Sequence, residues 1–139
     1  MVMVSSRKNI STETPWEPIF GYSRVVRVGP YVYVSGTTAT DKSGNIVGIG
    51  NPYMQSIQII KNIQTALQRV NASLTDVVRT RIYTTNINNW EKIGQAHLEF
   101  FKEIRPACTL VEVSHLISPE ILVEMGSRCS TELSIKLLL

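Results

Sequence analysis

The sequence has few cysteines and no long apolar run, and each absence excludes a class of protein. Two cysteines in 139 residues, Cys108 and Cys129, are too few for a disulfide framework or a structural zinc site. No stretch approaches the roughly 18 consecutive apolar residues of a membrane helix, and the N-terminal residues lack the apolar segment of a secretory signal. We therefore expect a cytoplasmic protein with reduced thiols, no metal site and no membrane contact.

Clustered charge is also missing. The 14 lysines and arginines exceed the 11 aspartates and glutamates by only three, and they are scattered along the chain. Because a nucleic-acid-binding surface needs clustered positive charge, nucleic acid is not the expected partner. Four arginines could still gather on neighbouring strands or face a subunit interface: Arg24, Arg27, Arg79 and Arg81. No glycine-rich turn of the dinucleotide-binding pattern is present, so no nucleotide cofactor is expected.

What the sequence does contain is enough apolar residues for one folded domain. Hydrophobic residues make up 43% and charged residues 18%, which excludes disorder, and the length suits a single domain. Residues 1–20 show little periodicity, with Pro15 and Pro18 on either side of Trp16. We interpret them as an N-terminal arm that packs late or lies on a neighbouring subunit, and residues 21–139 as the single domain.

The first half of the domain predicts a hairpin and a helix. Residues 23–28 and 31–35 are rich in β-branched and aromatic residues at alternating positions, and Gly29-Pro30 between them indicates a turn. Asn51 and Pro52 are typical of a helix start. Apolar residues then recur every three or four positions: Met54, Ile57, Ile60, Ile63, Leu67 and Val70.

The second half predicts a strand over 77–85, a helix from Asn88 or Asn89 to Arg105-Pro106, and strands over 107–113 and 122–135. Two helices can cover only one face of the resulting mixed sheet. The uncovered face would include Val26, Val28, Tyr33 and Val111. In so small a chain, self-association is the expected way to cover it.

Three segments in a fixed order and spacing carry a family resemblance. They are GYSRVVRVGPYVYVSGTTA from Gly21, FFKEIRPACTLVEV from Phe100 and ILVEMGS from Ile121. In these segments the chain resembles the reactive intermediate deaminase (Rid) family, also called the YjgF family, from about Gly21 to Ser134.

The resemblance implies an α+β fold of the chorismate-mutase-like (bacillus) type, with a mixed β-sheet and two helices on one face. It implies a homotrimer around a central β-barrel, with three small-molecule clefts, each between two subunits. Active family members hydrolyse 2-imino or 2-enamino acids to 2-keto acids and ammonia, and they need no metal and no cofactor. An arginine binds the substrate carboxylate, and a glutamate places or activates the attacking water.

Family roles transfer to only part of this chain. By resemblance, the catalytic glutamate is Glu124, and Tyr22 and Ser35 bind substrate. The position of the carboxylate-binding arginine holds Cys108, and a neutral thiol cannot form a bidentate, charge-assisted pair. This pattern resembles the arginine-lacking branches of the family.

Other residues could compensate, and simpler roles stay open. Arg105 could bind substrate or interact with the helix C-terminus, and Arg128 could take part or simply pair with Glu124. Cys108 could act as a nucleophile, line the cleft or fill the core, whereas His97 is expected to pack on its helix. Gly94 stands where many active members carry an asparagine.

Three functions therefore remain in view. The first is hydrolysis of reactive imine or enamine intermediates to keto compounds and ammonia, in which Glu124 would act. The second is a metabolite-binding trimer without turnover, which the cysteine at position 108 motivates. The third is RNA binding or cleavage, for which the sequence gives little support.

Overall fold

The alternating segments of the sequence form one mixed sheet. The computed structural model describes residues 6–12 and 14–131, and in them the strands are β1 (Arg7–Ile10), β2 (Val25–Val28), β3 (Tyr31–Thr37), β4 (Val77–Thr84), β5 (Ala107–Glu112) and β6 (Val123–Ser130). Their order in the sheet is β1-β2-β3-β6-β4-β5. Only β4 and β5 are parallel; the other neighbours are antiparallel. The predicted extension of the last strand to residue 135 lies outside the described residues.

The helices of the described part are α1 (Trp16–Phe20), α2 (Pro52–Gln68) and α3 (Trp90–Phe101), with short 3-10 turns at Leu74–Asp76 and Ile87–Asn89. The predicted start of α2 is confirmed: the Asn51 side chain accepts a hydrogen bond from the Met54 backbone N–H at 3.0 Å, and Pro52 is the first helical residue. None of these helices is long and apolar enough to cross a membrane.

The prediction for the N-terminal residues missed two elements. Arg7–Ile10 pairs with β2 as the edge strand of the same chain's sheet, and Trp16–Phe20 is a short helix. A buried carboxylate, Glu17, holds this segment together by accepting hydrogen bonds from the backbone and hydroxyl groups of Thr12 and Thr14. The segment is therefore integrated into the fold rather than irregular.

The buried face of α2 differs from the predicted stripe at its first turn. Met54 is 49% exposed, whereas Gln55 is fully buried. The Gln55 amide explains this, because it donates to the carbonyl of Glu120 at 2.8 Å and accepts from the N–H of Leu122 at 2.9 Å. These bonds satisfy the buried amide and tie α2 to the chain that leads into β6.

The core lies between the sheet and the two long helices. Helix α2 packs on β3 and β6 and against α3. The sheet contributes mainly aliphatic side chains to this core: Val25, Val32, Val34, Val77, Ile82, Val123 and Met125, together with Cys129. The prediction that helices cover one face is confirmed, and so is the prediction that Cys129 packs in the core.

Neither of the two long helices, α2 and α3, lies on the opposite face of the sheet. Strand register places Val26 beside Tyr33, and Tyr83 beside both Val111 and Glu124, so all of these side chains share that face. Tyr33 and Val111 are 44% and 40% exposed in the single chain. We refer to this surface as the open face.

The four arginines do not gather in one patch. Arg24 is buried, and Arg27 lies on the helix side, where it donates to the carbonyl of Val70 at 2.6 Å. Arg79 and Arg81 are exposed on the open face. The basic cluster that an RNA-binding surface would need is therefore not formed by these residues.

Candidate functional site

The Glu124 carboxylate lies at one end of the open face, against a bulge in β3. Between Val34 and Thr37, β3 gains one residue relative to β6, which places Gly36 beside the Glu124 side chain. A Cβ atom at position 36 would lie 2.9 Å from both Cδ and Oε2 of Glu124. Glycine at this position is therefore what gives the carboxylate its space.

A buried cation lies next to this carboxylate. Arg24 is 8% exposed, and its Nη1 donates to the carbonyl of Gly36 at 2.6 Å and to Oγ1 of Thr37 at 3.4 Å. Its Nη2 donates to the Tyr22 hydroxyl at 3.4 Å, and the guanidinium lies 5.6 Å from the centre of the Tyr22 ring. Arg24, Tyr22 and Gly36 thus form one connected group around Glu124.

The pKa of Glu124 is raised above its ordinary value. Partial burial of the side chain is the main cause of the raised pKa, and the positive charge of Arg24 partly offsets the increase. A carboxyl group with a raised pKa can hold a proton nearer neutral pH and exchange it with a bound molecule.

Ser35 supports this site through the backbone. Its hydroxyl donates to the carbonyl of Ser23 at 2.6 Å, and its N–H donates to the carbonyl of Arg24 at 3.0 Å. Both donors are thus used within the chain, and they fix the segment that carries Tyr22 and Arg24. Tyr22 itself precedes β2 rather than lying in it, and its ring meets Phe20 edge-on at 6.5 Å.

Cys108 and Arg105 lie on the other side of the sheet. Cys108 pairs in register with Thr80, whose side chain is buried on the helix side and contacts Nε2 of His97 at 2.9 Å. Cys108 is exposed, because β5 is an edge strand. Within one chain, neither Cys108 nor Arg105 is on the face that carries Glu124.

Arg105, but not Cys108, lines a shallow groove on the helix side. The groove is lined by Gly94, His97, Leu98, Phe101, Lys102, Arg105 and Pro106. The imidazole of His97 packs on the Phe101 ring at 4.6 Å, and burial lowers its pKa, so the ring is neutral at pH 7. Arg105 is exposed beyond the end of α3, in a left-handed conformation with φ of 54°.

Arg128 does not replace the absent arginine beside Glu124. Its guanidinium lies over the rings of Tyr31 and Tyr33, at 5.6 and 5.4 Å from their centres. The structure therefore brings Tyr22, Ser35 and Glu124 together and separates them from Arg105 and Cys108. Among the described residues, no group of three or more His, Cys, Asp or Glu side chains could hold a metal ion.

Sequence reasoning missed two residues of this site, Arg24 and Gly36. Arg24 stood out only as one of several scattered arginines, since its burial depends on the turn before β2. The role of Gly36 follows from a bulge, which strand alternation does not reveal. The one local signal was the Ser35-Gly36 pair at the end of a predicted strand.

Sequence comparisons with known proteins agree on one family. The family model described as endoribonuclease L-PSP matches residues 12–127. A RutC family protein of Pyrococcus abyssi is 33% identical over 120 residues, which cover 86% of this chain and 94% of that protein. An uncharacterized protein of Streptomyces coelicolor is 32% identical, with 85% and 87% of the two chains covered.

Solved structures agree with the sequence matches. The fold superposes on a YjgF/YER057c/UK114 family member from Mycobacterium tuberculosis with a TM-score of 0.83 and 39% identity, covering 91% of this chain and all of that one. A Rid family protein of unknown function from Yersinia pestis gives a TM-score of 0.80 at 29% identity, with the same coverage. On its sequence, its sheet topology and these matches, the chain belongs to the Rid family, also called the YjgF family.

Proposed function

We propose that this protein hydrolyses small imine or enamine compounds to keto compounds and ammonia, and that Glu124 is the proton-transfer group. The observation that carries the proposal is the Glu124 carboxyl itself: half-buried, raised in pKa and given room by Gly36. A group of this kind suits general acid–base chemistry near neutral pH.

Imine hydrolysis has two proton-transfer steps, and a single carboxyl group can serve in both. Water adds to the carbon of the C=N bond while a proton reaches the nitrogen, which gives a carbinolamine. The carbon–nitrogen bond then breaks, ammonia leaves with a proton delivered to it, and the hydroxyl oxygen loses its proton to become the carbonyl. In each of the two steps the Glu124 carboxylate would take one proton from oxygen, first from the water and then from the carbinolamine hydroxyl, and deliver it to the nitrogen, so the carboxyl ends each cycle unchanged.

A homotrimer with clefts between subunits is part of the proposal. Two observations support it. The open face exposes tyrosine, valine and arginine side chains that no helix covers, and the family-derived positions fall on opposite faces of the sheet. In an intersubunit cleft, Tyr22, Arg24 and Glu124 of one chain would meet Cys108 and the groove that contains Arg105 of another.

Binding without turnover is the second candidate function. The observation that favours it is Cys108, an exposed thiol at the position where the resembling enzymes have their carboxylate-binding arginine. The endoribonuclease description of the family model would suggest RNA as a third ligand. Against it, Arg24 and Arg27 are engaged inside the fold.

An imine assay separates the first two functions. An amino-acid oxidase generates 2-imino acids from several amino acids, and their decay is followed with and without this protein. Faster decay with release of ammonia supports hydrolysis. Decay that is unchanged for every amino acid would overturn it, and an increase in melting temperature with a keto acid alone would then favour the binding function.

The assembly is tested separately. Sedimentation equilibrium is expected to give three times the chain mass of 15.6 kDa. Tyr33→Glu would place a charge in the centre of the proposed interface and is expected to shift the protein towards monomer. A wild-type monomer at micromolar concentration would contradict the proposed trimer.

A further inference from the structure

Arg24 is a buried cation whose hydrogen-bond partners in the described part of the chain are all neutral, although its charge also acts on the nearby Glu124 carboxyl. Arg24 is more than nine-tenths buried. Its hydrogen bonds go to the Gly36 carbonyl, the Thr37 hydroxyl and the Tyr22 hydroxyl, none of which carries a charge. Burying a charge without a hydrogen-bonded counter-charge is costly, and buried guanidinium groups are usually paired directly with a carboxylate or phosphate.

Two N–H donors of the Arg24 guanidinium have no hydrogen-bond partner in the described part of the chain. Arginine has five N–H donors, and the three hydrogen bonds above leave Nε and one Nη2 hydrogen without a partner in the described part of the chain. Ser127 Oγ is the one fully buried side-chain polar atom there that lacks a hydrogen bond. The Nε of Arg24, which lacks a partner there but is not among the fully buried atoms, therefore keeps some access to solvent.

We propose that Arg24 binds the anionic group of the ligand, in place of the arginine that is absent at position 108. This inference rests on the proposed site at Glu124 and adds the residue of this chain that binds the ligand carboxylate. The free Nε and Nη2 donors can form the two parallel hydrogen bonds that carboxylates prefer. The Tyr22 ring lies beside the guanidinium, and the Gly36 and Thr37 contacts hold the guanidinium in place.

The other arginines near the cleft are less suited to this role. Arg105 is exposed on the opposite side of the sheet, and Arg128 lies over two tyrosine rings. An exposed, strongly solvated charge gains little from one more ion pair. A buried guanidinium already held by the protein loses less conformational entropy when it binds an anion.

Direct binding tests this inference without relying on turnover. The probes are pyruvate and pyruvamide, which differ in the carboxylate, titrated into the wild-type protein and followed by the side-chain Nε–H signals of arginine in NMR. Pyruvate is expected to shift the Arg24 signal, and pyruvamide to bind at least about tenfold more weakly. An Arg24 signal unmoved by saturating pyruvate, or equal affinity for the two probes, would overturn the proposal.

Variants test whether Arg24 is the residue that binds the carboxylate of pyruvate. Arg24→Lys keeps the charge but loses the paired donors, so pyruvate affinity is expected to fall about tenfold. Lys61→Gln is the control, because Lys61 is exposed on α2, which packs on the opposite side of the sheet from Glu124. Affinity lost in Arg105→Gln but kept in Arg24→Lys would contradict the assignment. Imine hydrolysis can fail while pyruvate still binds through Arg24, so the two proposals fail separately.

Discussion

Gly36 and Glu124 are matched in shape: a single methyl group on residue 36 would lie 2.9 Å from the Glu124 Cδ and Oε2 atoms. Such a distance is shorter than carbon and oxygen atoms tolerate, so the carboxylate could not keep its position. The bulge in β3, which contains Gly36, and the Glu124 side chain on β6 are therefore both needed to form the site.

Gly36→Ala is expected to reduce turnover far more than stability. The added methyl group must displace the Glu124 carboxylate, and misplacement of a reacting group by about 1 Å can cost roughly a hundredfold in rate. The Glu124 side chain is only partly buried and can move away, so the free energy of unfolding should fall by about 1 kcal/mol, the low end of the range for overpacking.

A double-mutant cycle isolates this contact. In a Glu124→Ala background there is no carboxylate to displace, so Gly36→Ala should have almost no effect on the melting temperature. The same loss of melting temperature in both backgrounds would show that Gly36 acts through something other than Glu124.

Glu124 should titrate above the ordinary range of a glutamate. Carboxyl ¹³C NMR, with Glu124→Gln for assignment, is expected to show a pKa above the usual 4.5, since burial outweighs the charge of Arg24. A raised pKa in the folded state makes the ionised form unfavourable there. Glu124→Gln should therefore melt higher than wild type at pH 7, and the difference should vanish below the pKa of the unfolded chain. A pKa at or below 4.5 would contradict this.

Glu17 should show the opposite dependence on pH. Burial tends to raise the pKa of Glu17, but the hydrogen bonds from Thr14 and Thr12 outweigh it and lower the pKa. The stability that the Glu17 carboxylate contributes is therefore present above the pKa that Glu17 has in the unfolded chain. It is lost as the pH falls through the pKa that Glu17 has in the folded protein. Glu17→Gln is expected to cost about 2 kcal/mol at neutral pH, in the range for hydrogen bonds to a charged group.

Thermal unfolding of Glu17→Gln at several pH values checks this. The deficit relative to wild type should shrink as the pH falls below about 4. Glu103→Gln changes an exposed glutamate and serves as the control with no expected deficit. An equal deficit at pH 7 and pH 3 would mean that the Glu17 charge contributes nothing.

The two thiols should differ sharply in reactivity. Burial raises the pKa of Cys129 to about 12, whereas Cys108 is exposed on the edge strand. A disulfide reagent should modify one thiol per native chain and two per unfolded chain. In Cys108→Ser the native count should fall to zero. Rapid modification of Cys129 in the native protein would contradict its place in the core.

The sequence predicted the parts of the fold that local patterns determine. The hairpin over β2 and β3 and the start of α2 depend on alternation, a turn and an N-cap, which neighbouring residues supply. Strand β1 was missed because its four residues are mostly exposed and do not alternate. The position of Gln55 was missed because only tertiary hydrogen bonds make a buried amide favourable.

The candidate site was predictable only in part. Glu124, Tyr22 and Ser35 were identified through the family resemblance, and they lie together. That Cys108 lies across the sheet from Glu124 depends on the register of β5 against β4, which no local pattern reveals. The burial of Arg24 and its contact with Gly36 depend on the path of the turn before β2, which no local pattern reveals.

The most direct test compares wild type with Glu124→Gln in 2-imino acid hydrolysis. At equal chain concentration and with the trimer verified for both proteins, the decay of the imine generated by an amino-acid oxidase is measured together with ammonia. The wild type is expected to accelerate decay, and Glu124→Gln to lose at least about a hundredfold of that acceleration, the usual contribution of a general acid–base group. Equal acceleration by the two proteins would show that Glu124 is not the proton-transfer group.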